Sequence, residues 1–450
     1  MGRGGLCTCA LLAVRRAAVT PSWVSRSSAS CIGALDSVAA ARSLRGFSPR
    51  RSPTVFPRNR TVLRWSTIMR RLRVLHVIQN LNYGGMERVL ADIARYCDRA
   101  RFETHVLCLQ YLGRFSEGLE KVATLHLAAP MSRASMFWPR TLANQMRSIA
   151  PDVVHSHSGV WYKATLAARM AGVPRIVHTE HGRAKPDPFR SRVVDSIGAL
   201  RSHVVVAVSA ALGAQLRRDV HVPERKILVI PNGVDTATFR PRADNGRLRS
   251  ELGLSPNTPV IGSIGRLEPI KGYGVMIDAF DRLRRRGADR GAVLIIGGQG
   301  SERAALEQRI REHRLDGSVF LLGWRDDVHD LHCAFKLFTM SSISEGTSIS
   351  LLEAMSAGLA PVVTDVGGNA AVLGPQLSHR LVPSANPEAL ASAWQEILEN
   401  SEGLKCDGLK ARQRVQEAFG LEAMVRSYER AYVGTGDGAA SHASSSSYTL

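Results

Sequence analysis

The sequence lacks paired cysteines and long apolar runs. Its seven cysteines are scattered without a CxxC motif, which argues against a disulfide framework or a cysteine-based zinc site and favours a reducing compartment. No run of eighteen apolar residues occurs, so we predict no membrane-spanning helix. No segment interleaves base-stacking aromatic residues with basic ones, so nucleic acid is not a predicted partner. A GxGxxG fingerprint is missing as well, which disfavours a dehydrogenase.

The length and the charge balance of the chain point to a globular protein with anionic partners. At 450 residues the chain is long enough for two domains, and its 44% hydrophobic content argues against wholesale disorder. The net charge is +20, and half of it lies in residues 1–68, which hold eleven arginines, no lysine and one acid. The moderate excess in the rest suits nucleotides, phospholipid headgroups or phosphorylated glycans.

The two ends of the chain differ in composition from the middle. Residues 1–70 are rich in Arg and Ser and nearly free of acids, as in an organellar transit peptide. Because Met69 directly precedes the first predicted strand, we favour the alternative that this leader is an upstream over-extension of the reading frame. Either way we expect a disordered leader over 1–70, and a flexible tail over the Gly/Ala/Ser-rich residues 434–450.

Short apolar runs alternate with helical patterns from Leu72 onward, which is typical of parallel sheets wound with helices. The first series of predicted strands is Val74–Ile78, Thr104–Leu109, Val153–His155, Arg175–Thr179, Val204–Val208 and Ile227–Ile230. The second series is Val260–Ile264, Val293–Ile296, Val319–Leu321, Leu337–Met340 and Pro361–Val363. A turn signal over Ile230–Asp235 separates them, so we predict two doubly wound α/β domains, 71–235 and 236–415, facing across a cleft.

Two loops that follow predicted strands carry groups suited to a diphosphate. Gly84 and Gly85 let backbone approach a ligand at a helix start, although a tight turn without a ligand has the same pattern. Arg266 and Lys271 follow the first strand of the second series, where fixed cations can neutralise a diphosphate. Two solvated surface charges are the alternative for this second loop.

The segment from Ser344 to Gly358 joins two acids to a helix start. Glu345 and Glu353 stand eight residues apart, and between them the hydroxyl cluster Thr347, Ser348 and Ser350 can cap a helix whose N–H groups suit a phosphate. Glu353 lies in a nearly apolar helical stretch, where an unpaired buried acid would be costly, so it needs a polar partner such as a ribose. An ordinary loop acid and an exposed helix acid are the alternative.

Four histidines follow two predicted neighbouring strands. His155 and His157 stand at the end of one strand, and His178 and His181 at the end of the next. A metal site is possible in such a cluster, but the helix-borne pair and carboxylate set that usually accompany it are not evident. We therefore favour hydrogen-bond donors that line the cleft, and we predict no metal.

The ordered segments together resemble the family-four glycosyltransferases, retaining enzymes of the GT-B fold, and within them the bacterial enzymes that build exopolysaccharide or lipid-linked glycans. The resemblance covers Leu72 to Val433. The segments that carry it are Gly84-Gly85-Met86-Glu87, Thr179-Glu180-His181, Pro231-Asn232-Gly233-Val234-Asp235, Gly265-Arg266 through Lys271-Gly272, and Glu345 through Glu353. It also implies that a C-terminal helix within 416–433 crosses back to the first domain.

The resemblance implies a role for each matching residue. Arg266 and Lys271 would bind the donor diphosphate, Glu345 the transferred sugar and Glu353 the ribose, while His181 would hydrogen-bond the sugar from the acceptor side. The implied catalytic residues are His181, Arg266, Lys271 and Glu345. The implied donor-binding residues are Gly84, Gly85, Arg266, Lys271, Glu345, Gly346, Thr347, Ser348, Ile349, Ser350 and Glu353.

These features predict transfer of a sugar from a nucleotide-diphosphate donor to a hydroxyl acceptor, with retention at the anomeric carbon and without a cofactor. A nucleotide-sugar epimerase of the same fold and a catalytically retired binding protein are the alternatives. The expected partners are a nucleotide-sugar and a glycan or lipid-linked acceptor. Trp138, Arg140 and Arg147 would permit peripheral contact with a membrane surface, and a solvated basic face would have the same composition. The expected location is cytoplasmic, at the inner face of a membrane, or organellar if the leader is a transit peptide.

Overall fold

The computed structural model describes residues 70–82, 84–130, 135, 137–183 and 188–434. The predicted leader and tail lie outside the described residues, except for their boundary residues Arg70 and Gly434. Within these ranges the chain forms two parallel sheets, one after the other, each with helices packed on it.

The first sheet has seven strands in the described part of the chain, in the order β3-β2-β1-β4-β5-β6-β7. Its strands are β1 Leu72–Asn80, β2 Phe102–Tyr111, β3 Thr124–Leu127, β4 Val153–His157, β5 Arg175–Glu180, β6 Val204–Ala207 and β7 Ile227–Val229. The helices that belong to it are α1 Gly85–Tyr96, α2 Arg140–Ile149, α3 Trp161–Ala171, α4 Phe189–Arg201 and α5 Ala210–Val220. The central strands are apolar on both faces because helices cover both sides, as parallel sheets require.

The second sheet has six strands in the described residues, in the order β10-β9-β8-β11-β12-β13. These are β8 Val260–Ile264, β9 Val293–Gly297, β10 Val319–Gly323, β11 Leu337–Met340, β12 Pro361–Thr364 and β13 Leu381–Val382. The remaining helices are α6 Arg247–Leu252, α7 Tyr273–Arg285, α8 Arg303–Glu312, α9 Val328–Ala334, α10 Ile349–Ser356, α11 Asn369–Leu373, α12 Pro387–Glu399, α13 Ser401–Ala418 and α14 Leu421–Val433.

Both sheets reverse their winding direction at one position. In the first sheet the reversal lies between β1 and β4, where His76 pairs in register with His155. In the second it lies between β8 and β11, where Leu337 pairs with Ile261. In open parallel sheets such switch points form a crevice at the carboxyl ends of the strands, and ligands bind there. A ligand-binding site is therefore expected at the loops that follow these four strands.

The last helix, α14, packs on the first sheet, although it follows the second sheet in sequence. The linker residue Val234 donates its N–H to Phe419 O at 2.9 Å and accepts from Leu421 N at 3.1 Å, which fixes the point where the chain returns. Tyr428 and Tyr432 are then buried in a core shared with α1 and the central strands of the first sheet. The last described helix thus completes the core of the first sheet.

The predicted strands correspond to observed strands, with end points that differ by a few residues, and two observed strands are not predicted. β3 has the sequence Thr-Leu-His-Leu and is half-exposed at a sheet edge, so it has no apolar run to mark it. β13 has two residues, which is too short for any periodicity. Edge position and brevity explain both omissions.

Candidate active site

A close ion pair stands at the switch point of the second sheet. Lys271 ends a short 3-10 helix, Pro269–Lys271, in the loop after β8, and Glu345 lies in the loop after β11. Lys271 Nζ is 2.6 Å from Glu345 Oε1, and Ser342 Oγ donates to the same oxygen at 2.6 Å. The lysine side chain is 19% exposed and the glutamate 9%, so the pair is reachable from solvent yet largely shielded by protein.

The two loops that carry this pair hold each other in place. Ser341 Oγ donates to the carbonyls of Lys271 and Gly272 at 3.0 and 2.9 Å, and Ile343 N donates to Ile270 O at 2.8 Å. Gly272 has φ +63°, and an ideal Cβ there would lie 2.4 Å from Ser341 O. Only glycine fits both the left-handed backbone and this close approach. The position of the lysine is therefore set by backbone contacts.

The segment Glu345–Ser350, here called the donor loop, lies directly against the ends of the first sheet. The Thr347 hydroxyl donates to Val208 O, and Asn232 Nδ2 donates to Thr347 O at 2.7 Å. An ideal Cβ on Gly346 would lie 2.4 Å from His181 O, so glycine allows the closest approach. The structure therefore brings the predicted donor-binding and acceptor-side residues together.

Two helix N-termini meet beside the donor loop. Ser348 is the N-cap of α10, where its hydroxyl accepts from Leu351 N at 3.5 Å and lies 3.2 Å from Ser350 Oγ. Gly84 is the N-cap of α1, and an ideal Cβ on Gly85 would lie 3.5 Å from Ile349 Cδ1 of α10. Free N–H groups at two adjoining helix starts favour an anion. Of the predicted hydroxyl cluster, Thr347 contacts the first sheet and does not cap the helix.

Glu353 is buried on α10 and faces charged groups of α1. Only 7% of the residue is exposed, and burial raises the pKa of its carboxyl from 4.5 to about 7, against the opposing effect of the nearby Arg88. Arg88 Nε binds both carboxylate oxygens of Asp92, at 3.0 and 3.2 Å. Arg88, on α1 of the first domain, therefore acts on Glu353 through its charge, and the ribose role of Glu353 remains a prediction.

Arg266 is exposed at the mouth of the same region. Burial raises the pKa of Glu87 on α1, and the positive charge of Arg266 partly offsets that rise. Arg266, in the loop after β8, therefore lies near enough to Glu87 on α1 for their charges to interact. With Lys271, Arg266 gives the cleft two cations on the second-sheet side.

His181 lies half-buried after β5, and its Nδ1 has no hydrogen-bond partner among the described residues. Its Nε2 is 3.0 Å from His157 Nδ1, and its backbone N–H donates to Ser158 Oγ at 2.8 Å. Burial lowers the pKa of His181 to about 4, which keeps the imidazole neutral. Nδ1 is thus a buried nitrogen whose hydrogen-bonding capacity is unmet among the described residues.

The other three predicted histidines are wholly buried, so the expectation that they line the cleft is wrong for them. His178 lies flat against the indole of Trp161, with ring centroids 3.9 Å apart. His155 uses both ring nitrogens, to Tyr432 OH at 2.9 Å and Thr179 Oγ1 at 2.7 Å. Alternate residues of β4 face one side of the sheet, and α14 covers that side.

One group of histidines in the described residues could geometrically hold a metal. The ligand nitrogens of His76, His155 and His157 all lie within 4.8 Å of one another. His155 would have to give up a bond to Tyr432 or Thr179 to bind an ion, and His157 is bonded to His76 at 3.1 Å. These histidines are thus engaged in hydrogen bonds to protein, and our prediction of no metal remains a prediction.

Comparison with known proteins gives this site a family. A sequence model described as "Glycosyltransferase Family 4" matches residues 83–238, and one described as "Glycosyl transferases group 1" matches residues 244–418. The D-inositol 3-phosphate glycosyltransferase of Jonesia denitrificans is 30% identical over 320 residues, which cover 63% of this chain and 72% of that protein. The chain belongs to the family-four glycosyltransferases.

Further relatives of this glycosyltransferase agree with that assignment. The UDP-Gal:alpha-D-GlcNAc-diphosphoundecaprenol alpha-1,3-galactosyltransferase of Escherichia coli is 24% identical over 382 residues, covering 81% of this chain and 97% of the relative. The crystal structure of Anabaena HepE in complex with UDP and glucose superimposes with a TM-score of 0.72 at 22% identity, covering 81% of this chain and all of that one. The likeness to HepE shows the fold, and it confirms the predicted GT-B architecture of two Rossmann-like domains.

The predicted enzyme class is confirmed as well. This glycosyltransferase moves a sugar from a nucleotide-diphosphate donor to a hydroxyl acceptor with retention of anomeric configuration, and the epimerase alternative is not favoured. No helix in the described residues is both long and apolar enough to cross a membrane. The domain bounds and the roles of individual site residues remain predictions.

Sequence reasoning missed three residues that the site uses. Ser342 bonds Glu345, Asn232 holds the donor loop, and Arg88 faces Glu353. Asn232 could have been singled out from the sequence, because it is the polar residue of a Pro-Asn-Gly turn at the predicted domain junction, and the structure buries it. No sequence pattern pointed to Arg88, because the helix that carries it meets α10 only through the tertiary fold.

Proposed function

We propose that this glycosyltransferase uses a UDP-sugar donor and extends a lipid-linked glycan at an anionic membrane surface. The observation that carries the proposal is the Lys271–Glu345 pair, which stands at the switch point of the second sheet while the donor loop contacts the first. The name of the E. coli relative, which specifies UDP-Gal and a diphosphoundecaprenol-linked acceptor, supports uridine and a lipid carrier as the first substrates to test.

In the proposed reaction the cations stabilise the leaving group. The bond between the anomeric carbon and the diphosphate oxygen breaks, the acceptor oxygen bonds to that carbon on the same face, and its proton passes to the diphosphate. Lys271, Arg266 and the N–H groups at the start of α10 face the place where this charge develops. Fixed donors and charges of this kind contribute most when they are in place before the reaction.

The two acids, Glu345 in the donor loop and Glu353 on α10, bind the sugar and the ribose of the donor, respectively. Glu345 accepts hydrogen bonds from the sugar hydroxyls, while its contacts with Lys271 and Ser342 hold the carboxylate in one orientation. Glu353 accepts from the ribose, and Gly84 and Gly85 form the cleft floor opposite Ile349. Gly346 to Ser350 present backbone donors to the phosphates.

The proposed membrane contact uses the edge of the first sheet where the site lies. Phe137 is 76% exposed and Trp138 55%, directly before α2, and the Arg140 guanidinium lies 5.6 Å from the centre of the Trp138 ring. Phe189 begins α4 with Arg192 over its ring at 5.5 Å. In a parallel sheet wound with helices, helix starts lie at the carboxyl edge of the strands. Exposed aromatic residues beside arginines suit an interface with anionic lipid.

Vesicle binding tests the membrane contact. Changing Phe137 and Trp138 together to Ser should lower co-sedimentation with phosphatidylglycerol vesicles by roughly tenfold or more, because two large apolar side chains are lost. The matched control is Leu409→Ser, which removes an apolar side chain of comparable exposure, 71%, from α13 of the other domain. Equal binding by the double variant and the wild type, or equal loss in the control, would remove this surface from the proposal.

Replacing Lys271 by Ala tests the reaction itself. We expect the rate of acceptor-dependent UDP release to fall about 10²–10³-fold, the usual cost of one fixed group that stabilises transition-state charge. Glu345 keeps its hydrogen bond from Ser342, and solvent still reaches the largely shielded pair, so the fold should lose between about 1 and 3 kcal/mol of stability.

The matched control for that experiment is Lys410→Ala. Lys410 also faces a carboxylate of the second domain, Asp407, at 3.7 Å, but it lies on α13. This variant should retain wild-type transfer. If Lys271→Ala transfers sugar at a near-normal rate, the proposed role of the cation is wrong, and if the wild type releases no nucleotide with any UDP-sugar, the proposed donor is wrong.

A further inference from the structure

A chain of three imidazoles leads from the cleft into the first sheet. His181 Nε2 is 3.0 Å from His157 Nδ1, and His157 Nε2 is 3.1 Å from Nδ1 of His76 on β1. The ring planes of successive members are tilted by 23° and 17°. His76, His157 and His181 are called the histidine relay below. His155 is not a member, because its two nitrogens bond Tyr432 and Thr179.

All three members of the relay are neutral near pH 7. Burial lowers the pKa of His76 to about 3 and of His181 to about 4, and burial together with the neighbouring imidazoles holds the pKa of His157 well below 6.5. A neutral imidazole has one N–H and one bare nitrogen. Each nitrogen-to-nitrogen bond in the relay therefore needs an N–H on one ring and a lone pair on the other.

The two bonds consequently have only two consistent arrangements. In the outward arrangement His76 Nδ1–H donates to His157 Nε2, His157 Nδ1–H donates to His181 Nε2, and His181 keeps its own proton on Nδ1. In the inward arrangement every donor is reversed, and His181 Nδ1 carries a lone pair. The protonation of His181 Nδ1 is thus fixed by the two rings behind it.

The surroundings of the cleft favour the outward arrangement. The donor loop carries Glu345 and packs its Gly346 against the His181 carbonyl, and Glu353 follows on α10. A bound diphosphate would add negative charge. A lone pair facing such a diphosphate would be repelled, whereas an N–H would be attracted. Nδ1 of His181 is also buried without a partner among the described residues, which is costly unless a ligand completes its hydrogen bonding.

We propose that His76 and His157 are positioning residues that hold His181 with its proton on Nδ1, so that it donates a hydrogen bond to a hydroxyl oxygen of the transferred sugar. This inference rests on the proposed function for the identity of the acceptor oxygen. The arrangement of protons in the relay can be measured without any substrate, so the relay proposal and the proposed function can fail separately.

Nitrogen-15 NMR of histidine-labelled, full-length wild-type protein is the direct test. Protonated and bare ring nitrogens differ widely in chemical shift, and the signals of His181 are assigned by their absence in His181→Phe. We expect a neutral ring with a protonated Nδ1 and a bare Nε2 at pH 7. A proton on Nε2, or on both nitrogens, would overturn the proposal whatever the enzyme transfers.

Variants of His157 test the effect on the reaction. His157→Phe removes both relay bonds, and we expect kcat to fall about ten- to a hundredfold, as when other groups that orient a functional histidine are removed, with a smaller change in the KM of the donor. His157→Asn keeps an N–H near the place of Nδ1 and should restore part of the loss. Unfolding midpoints of both variants separate this effect from a loss of fold.

The first sheet offers a matched control pair. His105 Nδ1 lies 3.0 Å from His126 Nε2, with ring planes 12° apart, on β2 and β3. His126→Phe breaks this imidazole pair and should leave kcat and the His181 signals unchanged. Equal loss in His157→Phe and His126→Phe, or no loss in His157→Phe, would overturn the role of the relay in the reaction. Absence of transfer by the wild type would instead count against the proposed function.

Discussion

The ionisation of Glu353 should make the stability of the protein depend on pH. Burial raises the pKa of its carboxyl from 4.5 to about 7, so the folded state holds this proton more tightly than the unfolded chain. The resulting stabilisation is present below pH 4.5 and is lost as the pH rises to 7. At about 1.4 kcal/mol per pKa unit, the loss amounts to about 3 kcal/mol. Glu353→Gln cannot ionise, so it should avoid this loss.

Urea unfolding at pH 5, 6, 7 and 8 measures the effect. Glu353→Gln should match the wild type within about 1 kcal/mol at pH 5 and exceed its free energy of unfolding by up to about 3 kcal/mol at pH 8. Glu399→Gln, an exposed change on α12, is the control and should show no such trend. If Glu353→Gln is instead less stable at pH 8, attraction to Arg88 outweighs the cost of burial, and the reasoning is refuted.

The same variant should bind the donor less well. If Glu353 accepts hydrogen bonds from the ribose, its replacement by Gln should weaken UDP binding about ten- to a hundredfold at pH 8, since hydrogen bonds to charged groups contribute roughly 1.5–3 kcal/mol. Isothermal titration calorimetry measures this change. A variant that becomes more stable and binds less would show that this acid is kept for the ligand at the expense of the fold. Unchanged affinity would remove the ribose role.

The other predictions concern close approaches and buried bonds. Gly346→Ala places a methyl group 2.4 Å from His181 O, so transfer should fall at least about tenfold and the unfolding midpoint should drop. In the control Gly85→Ala the new methyl group meets its nearest neighbour at an ordinary 3.5 Å, so this variant should keep the wild-type midpoint. Tyr432→Phe leaves the buried Nδ1 of His155 without its partner, and urea unfolding should show a loss of about 1–2 kcal/mol. An unchanged midpoint in Gly346→Ala, or unchanged stability in Tyr432→Phe, would contradict these contacts.

The winding of the sheets could be predicted from the sequence because the signals for it are local. Each parallel strand is an apolar run followed by a helical pattern, and both signals lie within about thirty residues. Lys271 and Glu345 could be assigned to one site for the same reason, since each follows a strand of the second series. Their mutual bond could not be predicted, because it depends on β8 and β11 being neighbours, a fact of strand order across 74 residues.

The histidines show the same division between local and long-range information. The spacing of His155 and His157 on one strand places both side chains on one face, which period-two alternation alone predicts. Their burial follows from α14, which reaches that face from the other end of the chain. The three-ring relay likewise needs residues from β1, β4 and the loop after β5. No pattern within a single segment contains that information.

The return of α14 to the first sheet has a consequence for biosynthesis. The ribosome makes the strands of the first domain early, but the helix that seals their apolar surface emerges only after the whole second domain. Until then Val74, Val177 and Val206 face an unfilled groove, a condition in which nascent chains aggregate. A premature stop codon between 416 and 420 would thus leave the core of the first domain incomplete even though all its strands are made. We expect such truncated products to depend on chaperones and to be degraded.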